Sequence, residues 1–183
     1  ARPALPGTTT PLHPTQTLNQ GKLTLQRFRL RLAALTLILA LPLAGHAAPY
    51  GVGSPMPAFS LEDQHGKKVS MQPDTRLVIF AADKAASDLA NEVLGNEKEG
   101  VLGRLQAVYL ADISGMPALV TRMFALPAMR ALPFPIGLAR EAGVLAELPR
   151  QKGAVSVIRL ADGKVSGVDH AQDVPQLKAM RGV

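Results

Sequence analysis

Few side chains in this sequence could carry covalent chemistry. There is no cysteine, so the chain has no disulfide, zinc-thiolate, iron–sulfur ligand or thiol nucleophile, and no lipid attachment through an N-terminal Cys. Ser87 is the one hydroxyl near the start of a helical pattern, and a serine nucleophile needs a positioned base and an oxyanion hole. No G-x-S-x-G turn surrounds it, and beyond residue 47 the only histidines are His65 and His170. Ser87 therefore reads as a cap or first-turn serine. Lys84 would serve as a reactive amine only in a desolvating pocket, and a lysine at a helix start is ordinarily solvated. His65 with Asp63, or His170 with Asp169 and Asp173, supplies at most one imidazole and a few carboxylates, too little for a metal. Turns and caps account for these acids. Gly51 and Gly53 precede a strand instead of joining strand to helix, so they do not cradle a phosphate. No cofactor and no metal is expected.

Charge is distributed unevenly. The net charge of +6 and pI near 10.0 would suit nucleic acid, but residues 1–47 hold five cations (Arg2, Lys22, Arg27, Arg29, Arg31) and no acid. The remaining 136 residues balance 15 Lys and Arg against 14 Asp and Glu, with no Trp for base stacking. Nucleic acid is not expected as a partner. With 47% hydrophobic and 19% charged residues, the chain can bury a core.

Residues 22–47 read as a signal peptide. Three arginines precede an apolar run of about a dozen residues from Leu32, and Gly45 and Ala47 suit cleavage before Ala48. The run is short of the ~20 residues that span hydrocarbon, so membrane contact is expected only transiently; a retained anchor is the alternative. The destination is the periplasm of a Gram-negative cell. Residues 1–21, with four Pro and five Thr, are expected to be a disordered extension, and the lack of Met before Met56 reads as a start assigned too far upstream. Residues 48–183 form the domain.

Its pattern alternates strand and helix. Strands are expected at 58–62 and 68–71 around the turn Asp63-Gln64-His65-Gly66, giving an N-terminal β-hairpin. The run Leu77-Val78-Ile79-Phe80-Ala81 suits a strand buried on both faces. Asp83 can cap a helix over 84–94, and a strand follows over 105–111. Pro117 opens a further helix, which Pro127 should kink or end and Pro133 and Pro135 stop. A strand over 136–139, a short helix or loop over 141–148, and strands over 154–160 and 164–168 around Ala161-Asp162-Gly163 follow. An amphipathic helix over 173–180, with Val174, Leu177 and Ala179/Met180 inward, closes the chain. The order predicts an α/β fold: a mixed central sheet with helices on both faces.

The stretch from Gly53 through Pro57, Phe59, Leu61 and Asp63 to Gly66-Lys67 resembles the opening of the thioredoxin-like redoxins, the alkyl hydroperoxide reductase and thiol-specific antioxidant group. Leu77-Val78-Ile79-Phe80-Ala81 takes the place of their buried strand, and residues 153–168 that of their late hairpin with its Asp162-Gly163-Lys164 turn. The resemblance covers roughly residues 51–183 and implies a thioredoxin-like fold. It also places a reactive thiol at the following helix N-terminus, where the dipole would favour thiolate. The corresponding residues here include Asp83, Lys84, Ala85, Ser87 and Asp88, so family thiol chemistry is not available. The family's cis-proline also lacks a counterpart, since Gln151-Lys152-Gly153-Ala154 stands there. More narrowly, the segment 116–130 and the entry from Leu148 to the late hairpin resemble the YtfJ family of small exported, cysteine-less thioredoxin-like proteins. That resemblance implies no established reaction.

Residues 116–135 are more apolar than one helix face needs, with Met116, Met123, Phe124, Met129 and Phe134 among them. They read either as a core helix and buried loop or as an adaptable patch for a periplasmic protein or small ligand. Two functions remain open: a non-enzymatic binding or accessory module, which the missing thiol favours, and a thiol-independent enzyme or accessory to a redox partner.

Overall fold

The computed structural model describes residues 50–182; the expected extension and signal peptide lie outside them. A sheet of seven strands organises the domain. In chain order they are β1 (Ser60–Glu62), β2 (Lys68–Ser70), β3 (Leu77–Ala81), β4 (Ala107–Asp112), β5 (Gly137–Ala139), β6 (Val155–Ala161) and β7 (Lys164–Ala171). Their order across the sheet is β2-β1-β5-β4-β3-β6-β7. β3, β4 and β5 run parallel, while the β1–β2 and β6–β7 hairpins pair antiparallel on either side. A parallel β-α-β unit, an antiparallel hairpin beside its first strand and a closing helix make up the thioredoxin-like core that the redoxin resemblance implies.

β3 sits near the middle of the sheet, and all five of its residues are buried. Leu77, Ile79 and Ala81 enter one apolar cluster, Val78 and Phe80 the other, as the two-residue period of a strand requires. Helix α1 (Lys84–Gly95) buries Ala86, Ala90, Val93 and Leu94, one face at helical spacing. A short helix α2 (Val101–Arg104) follows, and Gln106 turns the chain at φ 47°, so β4 starts two residues later than the pattern suggested. The late hairpin turns through Asp162 and Gly163 at φ 51° and 71°, the two positive values that a type I′ turn needs. β7 runs on to Ala171 and so includes His170, whose Nδ1 lies 3.1 Å from the Ser156 hydroxyl. Helix α5 (Val174–Arg181), capped by Asp173, buries Leu177; Val174 and Met180 pack beside it, but Ala179 faces solvent.

Pro127 does not end its helix. Helical backbone continues through α3 (Ala118–Val120), a π-helical segment (Thr121–Ala125) and α4 (Leu126–Arg130). The wide turn closes with the Leu126 N–H donating to the Thr121 carbonyl, and α4 then begins afresh with Pro127 in its first turn, where a missing N–H costs nothing. Of the short helix or loop expected over residues 141–148, the structure has the loop, a series of turns. The expectation of helices on both faces is corrected: the buried residues of the helices all join one cluster, and the opposite sheet face is covered by the 50–59 segment and the turns carrying Leu145 and Leu148, because 141–148 forms no helix to lie there. Arg150 lies over the Phe80 ring there, 5.4 Å from its centroid.

Candidate functional site

Asp83 follows β3 and caps α1. Its Oδ1 accepts the Ala86 N–H at 2.9 Å, the usual role of an N-cap carboxylate. Its Oδ2 accepts the Gly153 N–H at 2.7 Å, across 70 residues of sequence. Gly153 reaches this position at φ 73°, a left-handed conformation that a side chain would strain. The same carboxylate therefore ties the helix start to the loop entering β6. These N–H bonds, Ala86 first and Gly153 second, hold the Asp83 carboxyl below its ordinary value. The two segments that the resemblance sets around a redoxin thiol are here fastened to each other.

Beside this tie lies a cleft of about 450 Å³ at the carboxyl ends of the parallel strands β3 and β4. Ligand sites of α/β sheets fall at such ends. One wall is α1, with Lys84, Ser87, Asp88 and Asn91; the other is the α3–α4 helical run, with Val120, Phe124 and Met129. Asp83 and Asp112 stand at the strand ends, and Met116 closes one side. Lys84 and Asp88 pair at 2.5 Å, both largely exposed, so the pair adds little stability. Asp112 Oδ1 accepts from the Ser114 N–H and hydroxyl, and its Oδ2 pairs with Arg150 at 3.2 Å. Ala85 is exposed, whereas Ala86 is fully buried.

The apolar candidates separate. Met123 and Phe124 are 60% and 67% exposed, as are Leu119 at 68% and Val120 at 41%, and no residue of α3 or the π segment is buried. Met129 is buried at the back of the cleft. Phe134 is core, its ring tilted against Tyr109 with centroids 6.1 Å apart, and belongs to no surface patch. Three contributors were not singled out from sequence: Asn91, Tyr109 and Asp112. Asn91 Oδ1 is buried without a hydrogen-bond partner, and burial pushes the Tyr109 phenol well above its usual pKa. The spacing Ser87–Asn91 on one helix face could have signalled Asn91; the redoxin resemblance set the 151–154 stretch near the start of α1 but did not reveal the bond from Gly153 to Asp83.

Among the described residues no group of three or more His, Asp or Glu could hold a metal, and no helix is long and apolar enough to cross a membrane. No family model and no curated protein matches the sequence. Solved structures similar to the chain include a putative protein disulfide isomerase from Bacteroides thetaiotaomicron, 13% identical over 73% of this chain and 92% of that one, TM-score 0.47. A putative thiol:disulfide interchange protein DsbE from Chlorobium tepidum is 15% identical over 73% and 99%, TM-score 0.47. A peroxiredoxin-like protein from Aquifex aeolicus is 10% identical over 73% and 90%, TM-score 0.45.

Proposed function

We propose that this chain is an exported, redox-inactive thioredoxin-like module that acts by binding a periplasmic protein or small ligand in the cleft beside Asp83. One observation carries the reading: in a chain without cysteine, both Asp83 oxygens accept backbone N–H groups, and this is where the redoxin resemblance would set a thiol. The carboxylate satisfies the helix N-terminus that would otherwise stabilise a thiolate. The cleft remains open, and Val120 and Phe124 of its apolar wall are exposed. Purified protein should turn over neither hydroperoxide nor the disulfides of insulin; thiol-free turnover of either would overturn the proposal. The narrower likeness to the YtfJ family, on residues 116–130 and the late hairpin, is part of the same reading.

Export rests on the arginine-led apolar run and the small residues before Ala48. Mass spectrometry of protein from the periplasm of a Gram-negative host should give an N-terminus at or near Ala48. Intact residues 30–47 in the soluble fraction would refute cleavage.

A further inference from the structure

We infer that the cleft takes an amphiphilic cation: an apolar body carrying an ammonium head. This rests on the cleft being the binding site, and it names the chemistry of the occupant.

The two walls differ in what they offer. Val120, Phe124 and Met129 present apolar surface, and a cleft of about 450 Å³ lies within the ordinary range for small-molecule sites. The opposite wall offers acceptors. Three carboxylates, Asp83, Asp88 and Asp112, line the cleft against one cation, Lys84. Asp83 and Asp112 already accept bonds on both oxygens, the latter from Ser114 and from Arg150, which stands outside the lining. Lys152 also lies near Asp83 and outside the lining. Asp88 is different. Only its Oδ2 is engaged, by a Lys84 ammonium that is 79% exposed, and an exposed pair of this kind is readily exchanged for another cation.

A second observation points the same way. Asn91 lines the α1 wall one turn beyond Ser87, and its Oδ1 is buried with no partner. Beneath the same wall the Tyr109 side chain is only 1% exposed, with Ser87 and Asp88 near its hydroxyl. An unmet buried acceptor is costly, and turning the Asn91 carboxamide toward a donor-rich head at this wall relieves that cost. An anionic head meets three carboxylates, and the α1 N-terminus that would attract it is already occupied by Asp83. The wall therefore selects for positive charge and donors, and the facing helix for an alkyl or aromatic body.

The test uses three probes with one body and different heads: n-octylammonium, n-octanol and n-octanoate. Each is titrated into the 15N-labelled full chain while the Asn91 side-chain amide and the Ser87 and Phe124 backbone amides are followed by NMR. Octylammonium is expected to shift these signals and to bind about tenfold more tightly than octanol or octanoate. Asp88→Asn should remove that preference, and Phe124→Ala should weaken all binding; both residues are exposed, so the fold should survive. If octanol or octanoate binds as tightly, or Asp88→Asn leaves the preference intact, the inferred charge selectivity is overturned while the cleft remains a binding site. If no probe moves the cleft signals, both the inference and the cleft reading fail.

Discussion

The two helices that face each other across the cleft begin in opposite ways. α1 starts on Asp83, whose carboxylate caps the helix and reaches Gly153, and the helix then buries Ala86, Ala90, Val93 and Leu94 completely. The facing run starts on Pro117 with no side-chain cap, and residues 118–125 bury nothing; only Leu126 and Met129, past the wide turn, reach the core. Helical stability in proteins comes chiefly from packing an apolar face. The first helix therefore holds the domain together, and the first half of the second is held in place by its continuation. Apolar residues left in water by that arrangement, Leu119, Met123 and Phe124, contribute little to folding and are free to serve recognition.

That contrast can be broken most sharply within the second helix itself. Leu126→Ala should cost about 2–5 kcal/mol in chemical denaturation, because it opens a cavity in the core. A cost under about 1 kcal/mol would mean that the run is not anchored there. Next comes the tie at the first helix. Asp83→Ala should cost about 1–3 kcal/mol, the loss of a cap together with a charged acceptor. The sign of its pH dependence follows from the lowered carboxyl pKa. The contribution is complete above the unfolded value near 3.9, and it is lost as pH falls through the lower folded value. The stability gap between wild type and Asp83→Ala should therefore stay level from neutral pH to about pH 5 and shrink below about pH 4. A gap that widens in acid would contradict the assignment.

Gly153→Ala tests the far end of the tie. It should cost about 1–2 kcal/mol, because alanine resists the left-handed backbone that aims this N–H at Asp83. An unchanged melting temperature would show that the loop adapts. A cysteine returned at Ala85 tests whether the helix start still favours a thiolate. Its thiol should titrate below the ordinary value near 8.5, and lower still beside Asp83→Ala, since removing the carboxylate removes a neighbouring negative charge. A thiol at or above the ordinary value in both backgrounds would break the alignment with the redoxin site. The smallest effect is reserved for the open wall. Phe124→Ala should change stability by no more than about 0.5 kcal/mol, and a larger loss would place that ring in the core.

Local chemistry decided much of this protein from sequence alone. A run of five apolar residues rich in β-branched and aromatic side chains suits a strand buried on both faces, and Asp162-Gly163 can adopt the paired positive φ of a tight hairpin. Asp83 before a helical repeat caps it, and a chain without cysteine performs no thiol chemistry wherever its helix starts point. Those conclusions depend on residues near one another in the chain, so periodicity and turn preference suffice. The rest depended on distant partners. Whether Pro127 would stop its helix turned on a wide turn that Leu126 and Met129 anchor in the core. Met129 and Phe134 look no different from Met123 and Phe124 in sequence, yet packing against the sheet buries the first two and leaves the others in water. The second bond of Asp83, to a glycine 70 residues away, and the gathering of Asn91, Asp112 and the 116–132 segment into one cleft exist only because the sheet brings the ends of β3, β4 and β6 together. No periodicity in a one-dimensional chain encodes that proximity; it comes from the order of the strands.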